Sequence, residues 1–480
     1  MRRCSVALVV LLVALPAAAA TIHVPADQAT IQAAIDAASA GDTVLVAPGT
    51  YSGTGNTHLF MPEHDLVLRA AAGPDSTVID GEFSRDGINY TGGVSRASRL
   101  EGFTFLHCYS PLEGGAMVAL AGSSPVVADV VFRENVAGQF WSVGGAVACQ
   151  SSSPLFIDVA FIGNVSDIGG GGGMYFEGGS SPDLVRVLFR ENVSYGPGGA
   201  LAAYYPGTVS LKDCRFESNA GDIFCEGGSL AVTNCTFSRG WAYAVHVESS
   251  TLTMVGNTIA DSRHTGSLAS AVMLTYTGPT LLRRNLIARN GGLAGVSWNG
   301  IGQVPGIECN DVYGNELGEY GGELNDLTGL FGNISEDPVF CGAINDPEYS
   351  YELEAGSPCL PDNNGCGVLM GAHGQGCEVV DAGEPVGPMG LRSTCHPNPF
   401  NPRTEIRFVL ASDERVTLQI HDFAGRLART LLADVPKSAG EVRIAWDGTD
   451  DSGRLLPSGV YLYRVQAGER STQGKLMLLK

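Results

Sequence analysis

Four charged side chains recur at one position of a repeated sequence pattern and could do chemistry together. They stand three residues before a regularly spaced apolar residue: Asp129, Asp158, Arg186 and Asp213. If the repeats stack as coils joined by sheets, neighbouring members lie about 5 Å apart. Two carboxylates at that separation suit a retaining glycoside hydrolase. The alternative is an exposed ladder of opposite charges, worth roughly a few tenths of a kcal/mol per pair.

Other arrangements that carry catalysis are not found in the sequence. The chain has no nucleophile elbow, no Walker-type phosphate loop and no H-E-x-x-H zinc motif. His107, His246 and His264 fall on different repeats without a common column. The sequence therefore predicts no cofactor-binding residues and does not identify a metal site. Calcium is a cofactor that the chain could bind.

A repeat must position the charged column. Phe132, Phe161, Phe189 and Phe216 follow one another in steps of 29, 28 and 27 residues, and a pair of glycines precedes each of them. A period of this length is typical of one coil of a solenoid. An asparagine stands three residues after each phenylalanine, where a turn tolerates its left-handed backbone. We expect the amides of these asparagines to form a structural ladder: Asn135, Asn164, Asn192 and Asn219.

Short strands, not helices, are predicted within each coil. Apolar residues alternate with polar ones, and Ser-Ser-Pro and glycine-rich turns separate the runs. Three short strands cannot bury their inward side chains alone, so the coils must stack. At the N-terminal end, Ile31, Ala34 and Ile35 share one helical face that would plug the stack, with Thr30 or Asp27 as its cap. The segment 43–47 is expected to be the first strand.

Composition and charge narrow the class of protein and of partner. Glycine makes up 64 of 480 residues, which favours turn-rich β structure over helical folds. Residues 21–388 carry 14 basic and 40 acidic side chains, whereas residues 389–480 carry 13 basic and 10 acidic side chains. This shift indicates two modules. An acidic surface repels nucleic acid and polyuronate, so cations or neutral ligands are the expected partners.

The N-terminus predicts export, and the cysteines fit an oxidising compartment. Arg2 and Arg3 precede an apolar run and small residues up to Ala20, as in a secretory signal peptide covering residues 1–20. No membrane-spanning segment is expected in the mature chain. In a loop-rich stretch, disulfide bonds are predicted among four cysteines, with zinc binding as the alternative: Cys341, Cys359, Cys366 and Cys377.

Two segments carry a resemblance to known families. The run from Ile31 to Tyr51, IQAAIDAASAGDTVLVAPGTY, resembles the opening of pectin lyase-like right-handed parallel β-helix proteins. The alternation of Gly-Gly-Ala with Phe-x-x-Asn is similar to the repeats of polymorphic outer-membrane proteins. The resemblance implies an all-β fold: a right-handed parallel β-helix with a short N-terminal capping helix, followed by a small antiparallel β-sandwich. It also implies a lyase option, in which calcium holds a uronate while an arginine removes the α-proton.

The C-terminal module has its own resemblance. The strings PNPFNPRTEIRF at 397–408, WDG at 446–448 and SGVY at 458–461 resemble the type IX secretion C-terminal sorting domain, which is similar to the immunoglobulin-like domain of flagellar hook-capping proteins. The resemblance implies passage through an outer-membrane secretion machinery. The expected organisation is a β-helix over 21–340, its Cys-rich C-terminal part over 341–377, a linker over 378–394 and the immunoglobulin-like domain over 395–480.

The leading hypothesis is a secreted or cell-surface β-helix protein that presents a rigid face to an extracellular glycan or a surface protein without catalysis. The repetitive exterior, the export signals and the missing catalytic motifs favour it. The alternative is a polysaccharide lyase or glycoside hydrolase that acts through Asp129, Asp158 and Arg186. Calcium could bind along the acid-rich stretch 308–384. Trp141, Trp241 and Trp298 could stack on sugar rings if they are exposed; the equal alternative is that they are packed within the β-helix.

Overall fold

A computed structural model describes most of the chain. It leaves out residues 1–18, 264–269, 342–350, 377–392, 397–402, 411, 423–425, 439, 458, 469 and 479–480. The predicted signal peptide and linker, and Cys377, therefore lie largely or wholly outside the described residues. The chain divides into two compact units, Met1–Val379 and Val380–Lys480.

The first unit is a coil of short parallel strands that form three long sheets. Each coil passes through sheet 1, then sheet 2, then sheet 3, and every strand pairs with its equivalent on the next coil. Sheet 1 contains Thr21–Val24, Thr43–Val46, Val67–Ala70, Arg99–Glu101, Val126–Ala128, Leu155–Ile157, Asp183–Val185, Thr208–Lys212, Ser229–Thr233, Thr251–Val255, Thr280–Arg283 and Gly306–Glu308.

The other two long sheets continue the coils, and a small fourth sheet lies between them. Sheet 2 contains Gly49–Ser52, Thr77–Asp80, Thr104–Leu106, Val131–Arg133, Ala160–Ile162, Leu188–Arg190, Arg215–Glu217, Thr236–Ser238, Thr258–Ala260, Leu286–Ala288 and Asp311–Tyr313. Sheet 3 contains Leu59–Phe60, Ile88–Tyr90, Met117–Ala119, Val147–Gln150, Met174–Glu177, Leu201–Tyr204, Ile223–Glu226, Val245–Glu248, Ser270–Thr275, Ala294–Trp298 and Tyr320–Gly322. Sheet 4 contains Tyr109–Ser110, Val136–Ala137, Val165–Ser166 and Val193–Ser194.

A short helix covers the N-terminal end of the coils. It spans Ile31–Ala37 and buries Ile31, Ala34 and Ile35, and the side chain of Thr30 accepts a hydrogen bond from the Ala33 N–H at 3.3 Å. One expectation is wrong: the strand Thr43–Val46 is not the first, because Thr21–Val24 pairs with it in parallel register. That earlier strand is only four residues long and largely exposed, so its sequence carries little alternation.

Phenylalanine rings form a continuous stack inside the coils. Phe132, Phe161, Phe189 and Phe216 are fully buried, and the successive ring centroids lie 5.0, 5.0 and 4.8 Å apart. Phe237 extends the stack at 4.5 Å. The parallel register places each ring on the equivalent ring of the next coil, so a coil completes the core of its neighbour. The prediction of one interior column is confirmed.

Asparagine amides run beside this stack at the turn after sheet 2. The Nδ2 of Asn135 donates to the Oδ1 of Asn164 at 2.9 Å, and Asn164 bonds Asn192, and Asn192 bonds Asn219, in the same way. All four side chains are fully buried. A second ladder, not anticipated as one from the sequence, lies at the turn between sheets 1 and 2 and links four amides: Asn257, Asn285, Asn310 and Asn333.

The C-terminal part of the first unit packs against the outside of sheet 2. We call residues 351–376, which include the 3-10 helix Pro361–Asn363, the return segment. The Ala372 N–H donates to the Thr258 hydroxyl at 2.9 Å, and His373 Nε2 lies 2.7 Å from the Thr236 hydroxyl. Leu353 and Met370 are fully buried in a separate apolar cluster there. The return segment therefore covers the late coils of sheet 2.

The cysteines of this region pair differently from the expectation. Cys366 forms a disulfide bond with Cys309, which was not among the candidates. Cys341 is disulfide-bonded, whereas Cys359 is a free buried thiol and is a correction to the predicted set. The Cys359 thiol donates to the Oδ2 of buried Asp311 at 3.1 Å. Cys309 lies in a coil turn outside the cluster of four candidate cysteines. The prediction rests on that cluster and therefore misses Cys309.

The second unit contains two antiparallel sheets around one small core. One sheet contains Ser393–His396, Thr404–Leu410 and Gly440–Trp446, and the other contains Leu427–Lys437, Glu414–Asp422, Gly459–Ala467 and Arg470–Leu478. The core includes Trp446, Leu418 and Val465. Residues 393 and 394 belong to a strand, so the predicted linker is too long at its C-terminal end. The predicted fold class, with an all-β chain and an antiparallel C-terminal unit, is confirmed.

Removing one ladder amide is expected to destabilise the coils strongly. Asn164 accepts hydrogen bonds from the N–H and the amide of Asn135 and donates to the Phe132 carbonyl at 3.0 Å. Asn164→Ala leaves these groups buried without partners, at about 1–3 kcal/mol each. Urea unfolding should show a loss of at least about 3 kcal/mol. The exposed Asn325→Ala is the control, with a change below about 0.5 kcal/mol. Equal losses for the two variants would contradict the ladder.

Asp311 should make stability fall as pH rises. Burial raises the pKa of this carboxyl to about 6, above its unfolded value of about 3.9. The folded state therefore binds more protons between pH 4 and 6, and the free energy of unfolding decreases across that interval by about 3 kcal/mol from this group. Asp311→Asn should flatten the curve there relative to the wild type. Parallel stability curves for the two proteins between pH 4 and 7 would refute it.

Candidate functional site: the outer face of sheet 3

The charged column found in the sequence lies at a corner of the coils, not on a sheet face. Asp129, Asp158, Arg186 and Asp213 occupy the turn between sheets 1 and 2 with left-handed backbone, at φ of 52°, 55°, 54° and 56°. All four are exposed. The Asp158 carboxylate binds the Arg186 guanidinium through two hydrogen bonds of 2.6 and 2.8 Å, which lower the pKa of Asp158. Such an exposed pair is worth about 0.2–1 kcal/mol, and the arrangement favours the charge-ladder alternative.

Sheet 3 instead presents two columns of outward side chains that differ in chemistry. The first column contains mostly small and aromatic residues in register: Val118, Ala148, Tyr175, Ala202, Phe224 and His246. Two positions further along each strand, the second column is polar and acidic: Gln150, Glu177, Tyr204, Glu226 and Glu248. Because strand side chains alternate, the residues between the columns point into the core.

The glycine pairs of the repeat form the tight turns that begin the sheet 3 strands. Gly144 and Gly171 have φ of 63° and 69°, in the left-handed region. A Cβ at Gly171 would collide with the carbonyl of Met174, and one at Gly145 would collide with the carbonyl of Gly172 on the next coil. The backbone therefore turns back closely over the first column, and Ala148 and Ala202 are buried although they point outward. The glycines shape one wall of the face.

A hydrogen-bonded group of three residues lies in the middle of the face. The Tyr175 hydroxyl donates to Oε2 of Glu177 at 2.9 Å, and the Gln150 amide donates to its Oε1 at 2.7 Å. Burial and the nearby Glu177 carboxylate raise the pKa of Glu113, which is half-buried in the turn above. One carboxylate is thus oriented by two donors, and a second carboxyl beside it holds its proton more strongly.

Aromatic rings continue along the face from this group. Tyr175 and Tyr204 lie 5.8 Å apart between ring centroids, Tyr204 and Phe224 5.3 Å, and Phe224 and His246 5.2 Å. Burial lowers the pKa of His246 to about 4, so its ring is neutral at pH 7. The rings therefore form an uncharged aromatic row beside the acidic column. His246 was not expected in such a row, because its partners lie in weakly repeated coils.

Exposed aromatic residues lie in the turns on both sides of the sheet 3 strands. Before the strands, Trp141 and Trp241 are 67% and 71% exposed. After them, Tyr205 is 65% exposed, and its hydroxyl donates to Oε1 of Glu226 at 3.0 Å. The Tyr205 ring lies against Gly227, where a Cβ would collide with it. Trp298 is half-buried and lines a separate cleft of about 420 Å³ with Pro305, Leu324 and others.

The charge of the face is negative. The described strands of sheet 3 carry no lysine or arginine in the two outward columns, whereas Glu226 and Glu248 pair directly across adjacent strands. A polyanion would be repelled here, whereas the hydroxyl groups of an uncharged ligand could donate to the carboxylates. Within the described ranges, no group of three or more His, Cys, Asp or Glu could hold a metal ion, and no helix is long and apolar enough to cross a membrane.

Two sequence families match parts of the chain. The family described as right handed beta helix region matches residues 199–344, and the family described as FlgD Ig-like domain matches residues 401–471. With the parallel coils described above, the first match confirms the predicted right-handed β-helix. The second fits an immunoglobulin-like C-terminal unit. A search of curated proteins finds no match.

Three solved structures resemble parts of the chain at low TM-scores. Dimeric latent PorU from Porphyromonas gingivalis shares 27% identity over 21% of this chain and 10% of its own, with a TM-score of 0.18. PorZ, a surface component of the type-IX secretion system of the same organism, shares 21% identity over 18% of this chain and 11% of its own, with a TM-score of 0.14. A mutant of the PL6 family alginate lyase AlyGC shares 12% identity over 80% of this chain and 60% of its own, with a TM-score of 0.28. The chain thus spans about a tenth of the first two proteins and 60% of the third, and the likenesses carry no argument about function.

Proposed function

We propose that this chain is a secreted or cell-surface protein that binds a neutral glycan on the outer face of sheet 3 without cleaving it. The observation that carries the proposal is the exposed Tyr205 ring, held beside the acidic column, with the half-buried rings of Tyr204 and His246 on the same sheet. Sugar rings pack on aromatic side chains, and their hydroxyl groups donate to carboxylates. A glycan chain of repeating sugar units would therefore contact equivalent positions on successive coils.

Tyr205 is the residue best placed to contact such a glycan. Its ring is supported from below by Gly227, and its hydroxyl is held by Glu226, so little rotamer freedom remains to be lost on binding. Tyr204 precedes it at the end of a sheet 3 strand, and the carboxylates of Glu226 and Glu248 are near enough to raise the pKa of its hydroxyl. A fixed, exposed ring beside carboxylates is the arrangement that a neutral sugar needs.

The acidic exterior indicates which glycans bind. A polyuronate such as alginate or pectate would bring its own carboxylates against Glu177, Glu226 and Glu248, and no described basic residue of the two columns compensates them. The uronate-lyase option inferred from the sequence requires a free arginine, whereas Arg186 is bound to Asp158 at a different corner. Neutral glucans, mannans or xylans are therefore the proposed ligand class.

A second function, glycoside hydrolysis, has one specific observation in its favour. Glu113, whose pKa is raised by burial and by the Glu177 carboxylate, lies near that carboxylate, which two donors orient. Such pairs supply the acid and the nucleophile or base of glycosidases. Glu113 is half-buried, and Tyr175, which donates to Glu177, is only 9% exposed, so access to the two carboxyls is restricted. Binding without turnover remains the proposal.

The C-terminal unit is proposed to direct export and surface attachment. We propose that residues 395–480, together with strand residues 393 and 394, form a type IX sorting domain, which residues 378–392 join to the Cys-rich end of the β-helix at 341–377. The match of residues 401–471 to an immunoglobulin-like family supports a separate C-terminal domain. The partner in export is then an outer-membrane secretion machinery.

Glycan binding should depend on the Tyr205 ring. Affinity electrophoresis and calorimetry with neutral glycans should show binding, and Tyr205→Ala should weaken it at least about tenfold, or about 1.4 kcal/mol. Phe83→Ala is a matched control, because Phe83 is also exposed and left-handed, at φ 51° against 47°, but lies in a turn after sheet 2. Equal effects of the two variants, or preferential binding of alginate, would overturn the proposal.

Incubation with the same glycans should release no products. The full chain is mixed with neutral and acidic polysaccharides, with and without calcium, and reducing ends and unsaturated products are measured. Cleavage that Glu113→Gln abolishes would instead establish hydrolysis at sheet 3. Cleavage that Asp158→Asn abolishes would establish the corner column as catalytic. Either result replaces the non-catalytic proposal.

Export should require the C-terminal unit. In a host with the type IX machinery, deletion of residues 395–480 should leave the protein in the periplasm, whereas Tyr205→Ala should still reach the surface. Cell fractionation and surface proteolysis distinguish the locations. Surface display of the deleted protein would contradict the assignment.

A further inference from the structure

The first asparagine ladder is interrupted for two coils. After Asn219, the ladder position is occupied by Gly240 and then Ser262, and asparagine returns at Asn290 and Asn315. These residues remain in register from coil to coil. The N–H groups of Trp241, Arg263 and Gly291 donate to the carbonyls of Asn219, Gly240 and Ser262, respectively, at 3.0, 2.8 and 2.8 Å. The backbone stack therefore continues where the amide side chains are missing.

The gap leaves polar side chains inside the protein without partners. The Asn219 amide turns to Oδ1 of Asp222 at 2.9 Å instead of to another asparagine. The other carboxyl oxygen, Asp222 Oδ2, and the Ser262 hydroxyl are buried and have no hydrogen-bond partner among the residues that the structure describes. Both residues are at most 1% exposed. Burial without a partner for this oxygen raises the pKa of Asp222 to about 8.

These two atoms face the same small space. A Cβ built on Gly240 would lie 3.4 Å from Asp222 Oδ2, 3.5 Å from the Ser262 hydroxyl and 3.9 Å from the Asn219 carbonyl. In the intact part of the ladder, each asparagine also donates its N–H to the next Oδ1, as Asn164 does to Asn192 at 3.1 Å. Gly240 offers no such oxygen to Asn219. The space is thus surrounded by polar groups that normally bind an amide.

We propose that the gap is a binding site for one ordered water molecule, which replaces the missing amide and bridges Asp222 to Ser262. A water molecule both donates and accepts, so it can serve either form of the carboxyl and the serine hydroxyl. Buried waters typically make about three hydrogen bonds, within a range of about two to four, and the gap offers the two unsatisfied groups Asp222 Oδ2 and Ser262 Oγ, with the Asn219 carbonyl as a further acceptor. A calcium ion takes about six to eight oxygen ligands, which the gap does not supply.

The site gives the glycine at position 240 a role. Gly240 is not in the left-handed region, so its backbone does not require glycine, and its Cβ position has only ordinary contacts. What glycine provides is space. An asparagine in this register would occupy that space, and the water would be excluded. The bound water therefore depends on two small residues in succession, Gly240 and Ser262.

Crystallography and two substitutions test the site. A crystal structure of the full chain at about 1.6 Å should show a water within hydrogen-bond distance of Asp222 Oδ2 and Ser262 Oγ. Gly240→Asn should displace it and restore the ladder, whereas the matched Gly240→Ala fills space without an amide. We expect the melting temperature of Gly240→Asn to exceed that of Gly240→Ala by at least about 2 °C.

The outcomes separate the explanations. An empty gap in the wild type, or direct hydrogen bonding between Asp222 and Ser262 that closes it, would overturn the proposal. An anomalous peak at the gap after soaking in rubidium chloride would show a monovalent cation site and would also overturn it. If Gly240→Asn fails to fold, the wild-type density and the Gly240→Ala structure, which should lack the water, still decide.

Discussion

The parallel register of the coils is the constraint on which the other features depend. Each strand pairs with its equivalent on the next coil, so any residue meets its own counterpart at about 4.8 Å. A phenylalanine is therefore stacked on a phenylalanine, and an amide is bonded to an amide. Identical neighbours are favourable for rings and for asparagine, which both donates and accepts. They are unfavourable for bare charges. The Arg186 guanidinium compensates Asp158 in the corner column, whereas Glu226 and Glu248 remain adjacent on sheet 3 and leave that face negative.

The same constraint produces the proposed binding face. Because a position is repeated from coil to coil, a small change in residue type converts a structural column into a functional one. On sheet 3, the outward column passes from Ala148 to Tyr175 and from Ala202 to Phe224 without any change in backbone path. The glycine turns keep that path tight and shape the wall beside it. The proposed binding face is thus built from substitutions on an unchanged frame, and the frame itself does not specify a ligand.

The fold was predictable because its signals repeat, and the candidate site was not because its signals do not. The spacing of Phe132, Phe161 and Phe189 established the period and the inward face, and both follow from burial alone. The corner position of Asp129 was missed because a turn residue next to a strand shares the two-residue alternation of the strand. Tyr175, Tyr204 and Phe224 lie in two different columns, so only the register of the folded sheet shows that their rings form one row. Cys309 pairs with a residue 57 positions away, a distance that composition does not encode.

The return segment makes the two ends of the β-helix unequal in how they can evolve. On the early coils, duplication of a whole repeat between Phe132 and Phe189 would preserve every column, because each new coil meets the same neighbours. On the late coils, Thr236 and Thr258 contact His373 and Ala372, and the Cys309–Cys366 bond fixes a second point. An added coil there would separate these contacts unless the covering chain lengthened as well. Growth of the protein, and of the proposed binding face, is therefore least constrained among the early coils, between the N-terminal helix and the return segment.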